Sequence, residues 1–158
     1  MRALTLKAPW GTVIAKHGKD VENRSWPPPD WIIGERIAIH EGFSVMRAAL
    51  EELEEELGKL SYRPGVIVCT VVVRGWIDAD RTHSELLTKQ EAAVARRSRW
   101  YGGDEVGWVL CDVREPAARV EIKGARQLWS LPESEERKLL GMSRSSRPVR
   151  AKGLTRAD

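Results

Sequence analysis

Cysteines and long hydrophobic runs are scarce in this chain of 158 residues. Its two cysteines, Cys69 and Cys111, form no CxxC pair and no disulfide framework, so we expect a reducing, cytoplasmic environment and no structural zinc. The longest apolar run, over residues 66–73, is under half the length of about 20 residues that a helix needs to cross a bilayer, so we expect no membrane association. Pro9 interrupts the N-terminal segment too early for a signal peptide.

Several motifs of nucleotide and acyl-transfer chemistry are also missing. The sequence contains no GxxxxGK[ST], GxGxxG or GxSxG motif, which argues against a P-loop, a dinucleotide-binding loop and a nucleophile elbow. Its three histidines, His17, His40 and His83, show no metal-ligand spacing, so we expect no metal and no other cofactor. With 42% hydrophobic and 31% charged residues, the composition is that of a globular domain.

The positive charge is concentrated at one end of the chain. The net charge is +3, but residues 143–158 hold five basic residues and one acidic residue, which leaves 21 basic and 22 acidic residues in the rest. We therefore predict one domain over residues 1–142 and a basic, flexible tail over residues 143–158. Such a tail either adds non-specific affinity for phosphate backbones or only aids solubility.

A second basic cluster contains Arg96, Arg97 and Arg99 and runs into Trp100 and Tyr101. Arginines next to aromatic side chains suit phosphate contacts combined with base stacking. The same pattern is also typical of a helix C-terminus, where cations interact favourably with the helix dipole. The sequence leaves these two interpretations open.

Hydrophobic periodicity predicts a chain of alternating short strands and helices. Ser44 is a candidate N-cap for the second helix, and a capping box over residues 82–85 predicts the start of the third. We interpret the pattern as an α+β fold with a small mixed sheet of five or six strands, curled into a partial barrel with short flanking helices. The predicted strands cover residues 3–8, 21–26, 34–41, 65–77, 106–113 and 119–123, and the helices cover residues 10–17, 44–60, 82–97 and 132–141.

The most informative charged residues lie between the first helix and the second strand. Side chains alternate along a strand, so Glu22 and Arg24 share one face, with Lys19 at the strand entrance. A carboxylate between two cations stays ionised and can accept a proton or bind a base edge. A lysine near another cation can act as a base or a nucleophile. The alternative is an ordinary salt bridge between Glu22 and Arg24.

Two tryptophans flank this charged segment. Trp10 precedes it and Trp26 ends it, so both indole rings are candidates for stacking on a base. Both are equally compatible with a place in the hydrophobic core.

Six segments between residues 4 and 131 together resemble the ASCH (activating signal cointegrator homology) family of the PUA-like superfamily. The most specific part is a Pro-Trp turn followed by Lys-x-x-Glu-Asn-Arg-x-Trp. The segments are LTLKAPW (4–10), KDVENR with Trp26 (19–26), GERIAIH (34–40), GVIV (65–68), WVL (108–110) and KGARQLW (123–129).

The resemblance implies a PUA-like, partly closed β-barrel with a cleft beside its first helix that receives RNA, a nucleotide or a modified base. Some family members resemble N4-acetylcytidine amidohydrolases or ribonucleases, and their lysine and the polar residue three positions later match Lys19 and Glu22 here. This chain differs in that Lys19 directly follows Gly18 and that Glu22 replaces a threonine. In those hydrolases a further acidic residue completes the site. The candidates for that residue in this chain are Asp78 and Glu85.

His40 lies where the family has a histidine. It alternates with Ile37 and Ile39, so we expect its ring to point into the cleft, where a neutral imidazole can bind a base or a phosphate. The alternative is a hydrogen bond from His40 to a backbone carbonyl.

Three functions follow as hypotheses. The first is binding of RNA, single-stranded DNA or a modified nucleotide, with phosphates neutralised by Arg96, Arg97 and Arg99. The second is a hydrolase that uses Lys19 and Glu22. The third is a protein-interaction module whose acidic second helix binds an unidentified partner. The residues expected to form the base-binding cleft are Trp10, Lys19, Glu22, Asn23, Arg24, Trp26 and His40.

Overall fold

A computed structural model describes residues 1–142, so the predicted tail lies outside the described residues. Within this part of the chain, no helix is long and apolar enough to cross a membrane. The elements are β1 (Arg2–Ala8), α1 (Trp10–Lys16), β2 (Val21–Arg24), a short 3-10 helix (Asp30–Ile32), β3 (Arg36–Val45), α2 (Arg47–Leu57), β4 (Val66–Ile77), α3 (Lys89–Arg96), β5 (Val106–Arg114), β6 (Leu128–Ser130) and α4 (Glu133–Leu140).

The six strands form one mixed sheet in the order β2-β5-β4-β3-β1-β6. β1 runs parallel to β3, and the other neighbouring strands are antiparallel. The edge strands β2 and β6 are not neighbours in this order, so the sheet stays open. The predicted α+β class with a mixed sheet of up to six strands and short helices is confirmed.

Alternation along the strands builds a core on each face of the sheet. Leu4 and Leu6 of β1 pack in a cluster with Ile14 of α1. Their neighbour Ala3 belongs to a second cluster, which includes Leu139 of α4. The two helices thus cover opposite faces, as expected when apolar side chains point to both sides of a strand.

Three predicted elements are wrong in their positions. The second helix starts at Arg47 with Met46 as its N-cap, because the predicted N-cap Ser44 belongs to β3. The third helix starts at Lys89, and its capping box is formed by Thr88 and Glu91. The residues before it are held by β4 instead, because the Ser84 amide donates to the carbonyl of Trp76. The strand predicted over residues 119–123 is reduced to a single bridge at Glu121, and the sixth strand is β6.

Glu41 of β3 anchors the beginning of α1. The carboxyl group is fully buried, and its Oε2 accepts hydrogen bonds from the Thr12 amide (2.5 Å) and the Thr12 hydroxyl (2.8 Å). A Cβ atom on Gly11 would lie 2.8 Å from the same oxygen, so the close approach requires glycine there. Burial raises the pKa of Glu41 to about 7, although the Thr12 hydrogen bonds oppose the shift.

The Glu41 carboxyl therefore makes the stability of the fold depend on pH. Its pKa is higher in the folded protein than its ordinary value of 4.5, so its stabilising contribution is complete below that pH and is lost as the pH rises through about 7. In Glu41→Gln this group no longer titrates. We expect the free energy of unfolding of the native protein to fall relative to that of Glu41→Gln by about 3 kcal/mol over this range. Urea denaturation of both proteins from pH 4.5 to 8 measures the difference, and a difference that does not change with pH would contradict the prediction.

Candidate functional site

A cleft of about 720 Å³ lies between α1, α2 and the loop that follows α3. Ligand sites for small molecules typically have volumes of about 300–1,000 Å³. The lining residues come from β1, the α1–β2 region, α2 and residues 99–105. They are Thr5, Leu6, Lys7, Trp10, Lys19, Glu22, Asn23, Arg24, Met46, Ala49, Glu52, Leu53, Glu56, Arg99, Trp100 and Glu105.

A buried group of three charged side chains forms one side of the cleft. Lys19 Nζ lies 3.2 Å from Glu22 Oε2, and Arg24 Nη1 lies 3.7 Å from Glu22 Oε1. The side chains of Lys19 and Glu22 are only 3% and 9% exposed, and Lys19 also donates to the carbonyl of Val21. Gly18, with φ of 73°, supplies the left-handed turn that brings Lys19 back under the strand.

Two indole rings form the aromatic part of the cleft. The ring centroids of Trp10 and Trp100 are 6.5 Å apart and the planes are nearly perpendicular. Each ring already carries a cation on one face, because Lys19 Nζ lies 5.1 Å from the Trp10 ring and the Arg99 guanidinium 4.5 Å from the Trp100 ring. A stacking ligand therefore uses the other faces or displaces the exposed guanidinium.

Asn23 holds the loop that carries Trp100. Its Nδ2 donates to the carbonyl of Trp100 (2.8 Å), and its Oδ1 accepts from the amide of Gly102 (2.9 Å). Both ends of the side-chain amide are thus engaged with backbone groups. Asn23 lines the cleft, and its hydrogen bonds position the aromatic wall.

Four of the sequence-predicted residues do not line the cleft. Trp26 packs edge-on against Trp108, with ring centroids 4.9 Å apart. Arg96 donates to the carbonyl of Thr82, and Arg97 lies exposed beyond the end of α3. The fourth is His40.

His40 is buried behind the cleft wall. Its Nε2 donates to the carbonyl of Ile122 (2.8 Å), so Nδ1 accepts from the hydroxyl of Thr5 (3.2 Å), and that hydroxyl oxygen accepts from Trp129 Nε1 (3.0 Å). Burial lowers the pKa of His40, which keeps the imidazole neutral. The structure therefore matches the alternative of a backbone-bonded histidine, and only Thr5 of this chain of hydrogen bonds reaches the cleft.

Sequence analysis missed several residues that line the cleft. Trp100 was visible only as part of the arginine-rich cluster, and the α2 carboxylates Glu52 and Glu56 were part of an acidic run. Glu105 lines the cleft in the place of the candidates Asp78 and Glu85, which do not. Trp100 stood beside arginines in a pattern that suits base stacking, but no local signal places these residues in the cleft, because they meet only when α2 and the post-α3 loop pack beside α1.

The charges that line the cleft are balanced. The cations are Lys7, Lys19, Arg24 and Arg99, and the anions are Glu22, Glu52, Glu56 and Glu105. Three of the cations are ion-paired within the cleft, where Arg99 Nη2 lies 2.6 Å from Glu56 Oε2. The cleft is therefore suited to polar edges more than to a run of phosphates. Over residues 1–142, no cluster of three His, Cys, Asp or Glu side chains is arranged to hold a metal ion.

The buried contact between Lys19 and Glu22 should contribute to the free energy of unfolding. Glu22→Leu leaves a buried ammonium without its carboxylate, so we expect the free energy of unfolding to fall by about 3–5 kcal/mol. Replacing both residues, as Lys19→Met with Glu22→Leu, also removes the buried ammonium and leaves only the more exposed Arg24 without its carboxylate, so we expect it to restore most of this loss. Urea denaturation measures both variants, and Glu133→Gln, which breaks an exposed pair with Arg137, serves as a control with a loss below about 1 kcal/mol. Additive losses in the double variant would contradict the prediction.

Comparison with known proteins gives matches only among solved structures. No family model and no curated protein matches the chain. An ASCH protein from Zymomonas mobilis is similar over 89% of this chain and 93% of its own, at 15% identity and a TM-score of 0.49. Two single-substitution mutants of ZmASCH match at 16% and 15% identity, with TM-scores of 0.48 and 0.49, over 94% and 96% of their chains.

Proposed function

We propose that the cleft binds a single nucleobase, presented as a nucleoside, a nucleotide or one residue of RNA or single-stranded DNA. The observation that carries this proposal is the pairing of an aromatic wall, Trp10 and Trp100, with a buried polar wall, Lys19 and Glu22, in one cleft. An aromatic ring offers a π-face to any base, and stacking on such a ring contributes about 1–3 kcal/mol per base.

The polar wall supplies both hydrogen-bonding functions that a base edge requires. Glu22 accepts hydrogen bonds through its carboxylate, and Lys19 donates through its ammonium group. Both groups are nearly buried, so their hydrogen bonds with a ligand form away from competing water. Their mutual ion pair fixes their positions before a ligand arrives.

The balance of charge favours recognition of one base over tracking along a polymer. Proteins that follow a nucleic-acid backbone rely on cations that release counterions from phosphates, which makes binding strongly dependent on salt. Here three of the four lining cations are already paired with carboxylates. We therefore expect the affinity for an oligonucleotide to depend only weakly on salt.

Titration of a panel of nucleosides, including cytidine and N4-acetylcytidine, tests this proposal. We expect saturable binding of at least one of them, and Trp100→Leu weakens it by about tenfold or more because a stacking surface is lost. Isothermal titration calorimetry or NMR measures the affinities. Trp31→Leu is the matched control, since Trp31 is exposed and does not line the cleft. Absence of nucleoside binding, or an equal loss in both variants, would contradict base binding in this cleft.

A second candidate function is hydrolysis of an amide or phosphodiester bond in such a ligand. It is favoured by the direct contact of Lys19 with Glu22 inside the cleft, which joins a potential base or nucleophile to a proton shuttle. For N4-acetylcytidine, water adds across the amide, the C–N bond breaks, and cytidine and acetate are released.

Incubation with N4-acetylcytidine and with RNA tests the hydrolase proposal. We expect product with the native protein and a loss of about 10²–10⁴-fold in rate with Lys19→Ala, the range typical of a general acid–base group. Chromatography measures the products, and circular dichroism shows whether the variant is folded. Lys19→Arg keeps the positive charge and serves as a second variant in case the alanine variant unfolds. No product from either substrate, or equal product from native protein and variants, rejects this function for Lys19.

A further inference from the structure

An ion pair between Arg99 and Glu56 spans the cleft. Arg99 belongs to the loop after α3 and Glu56 to α2, so their contact joins two separate walls. Arg99 Nη2 lies 2.6 Å from Glu56 Oε2, and each side chain is 52% exposed. The hydrogen bond from Arg99 lowers the pKa of Glu56, which keeps that carboxylate ionised. The pair therefore stands at the solvent side of the cleft, in contrast to the buried pair of Lys19 and Glu22.

Arg99 is also next to the proposed stacking surface. Its guanidinium lies over the ring of Trp100, 4.5 Å from the centroid. A nucleoside whose base stacks in the cleft brings any attached phosphate into the neighbourhood of this guanidinium. Arginine binds phosphate well because its planar fork of N–H donors matches two phosphate oxygens.

The other paired cations of the cleft are less available to a phosphate. Lys19 is nearly buried, and Arg24 shares the same carboxylate and is mostly buried, so releasing either would break a contact that is largely shielded from water. Exchange at Arg99 is easier, because a half-exposed ion pair contributes little to stability and both members can be solvated.

We propose that Glu56 masks Arg99 in the free protein and that a phosphate attached to the bound nucleoside replaces Glu56 on Arg99. This inference rests on the proposed binding of a nucleobase in the cleft. The site then prefers a phosphate-bearing ligand, and Glu56 sets the size of that preference by competing for the same guanidinium.

The helix offers a comparison residue for this competition. Glu52 lies one turn before Glu56 on α2 and lines the same cleft. Within residues 1–142 it makes no ion pair, whereas Glu56 is paired with Arg99. Removing either carboxylate makes the electrostatic potential in the cleft more positive, but only removal of Glu56 frees the Arg99 guanidinium from its ion pair.

The experiment compares the affinities of one nucleoside and its 5′-monophosphate, measured by calorimetry at one fixed ionic strength. The readout is the Kd of the nucleoside divided by the Kd of the monophosphate, which isolates the contribution of the phosphate to the affinity. We expect Glu56→Gln to raise the preference for the monophosphate about five- to tenfold, because a charge-assisted hydrogen bond to phosphate no longer competes with a carboxylate. We expect Glu52→Gln to raise the preference for the monophosphate less than about twofold, because it acts only through the electrostatic potential of the cleft. Arg99→Gln lowers the preference, and adding Glu56→Gln to it gives no further gain.

Each outcome separates this inference from the function on which it rests. An equal gain in Glu52→Gln and Glu56→Gln, or a gain that persists without Arg99, would overturn the masking by Glu56. A nucleoside that binds with no preference for its monophosphate in any of these proteins overturns the inference and leaves base binding intact. If neither compound binds, base binding fails and the inference fails with it. A trinucleotide with and without a 5′-phosphate then distinguishes a polymer end from a free nucleotide as the source of the phosphate.

Discussion

The shape of the cleft depends on the buried contact of Lys19 with Glu22. A lysine that is almost fully removed from water is stable only beside a carboxylate and further acceptors, and Glu22 and the Val21 carbonyl meet that need. The contact ties the turn after α1 to β2, and all four residues of β2 are paired with β5. The charged wall of the cleft is thereby held on the sheet.

A second buried carboxyl group acts on the same helix from its other end. Glu41 reaches from β3 to the backbone of the first turn of α1, next to Trp10. The two contacts together hold a seven-residue helix, which is too short to be stable by itself, in one position against the sheet. The aromatic and the charged walls of the cleft thus share one support.

The cleft combines a rigid interior with a more exposed mouth. Inside, Asn23 binds the backbone on both sides of Tyr101 and so positions the ring of Trp100. At the mouth, Arg99 and Glu56 are half exposed. Under the proposed function, a base meets groups that are already in place, which limits the entropy lost on binding. A phosphate attached to that base meets half-exposed side chains that can exchange partners.

Local sequence patterns were enough to predict the order of strands and helices and the clustering of Glu22 with Lys19 and Arg24, because alternation and short spacings act between residues that are close in the chain. They failed for the start of α3, since pairing of Ser84 with β4 competes with a helical capping pattern. Local patterns also could not predict the environment of His40, because its contacts Ile122 and Trp129 are distant in the chain and approach it only in the folded protein. The sequence by itself therefore determined the order of the elements, five of the six strands and one charged wall. The tertiary structure alone decided that Trp100 and Glu56 complete the cleft, because contacts between distant segments depend on how α2 and the post-α3 loop pack on α1.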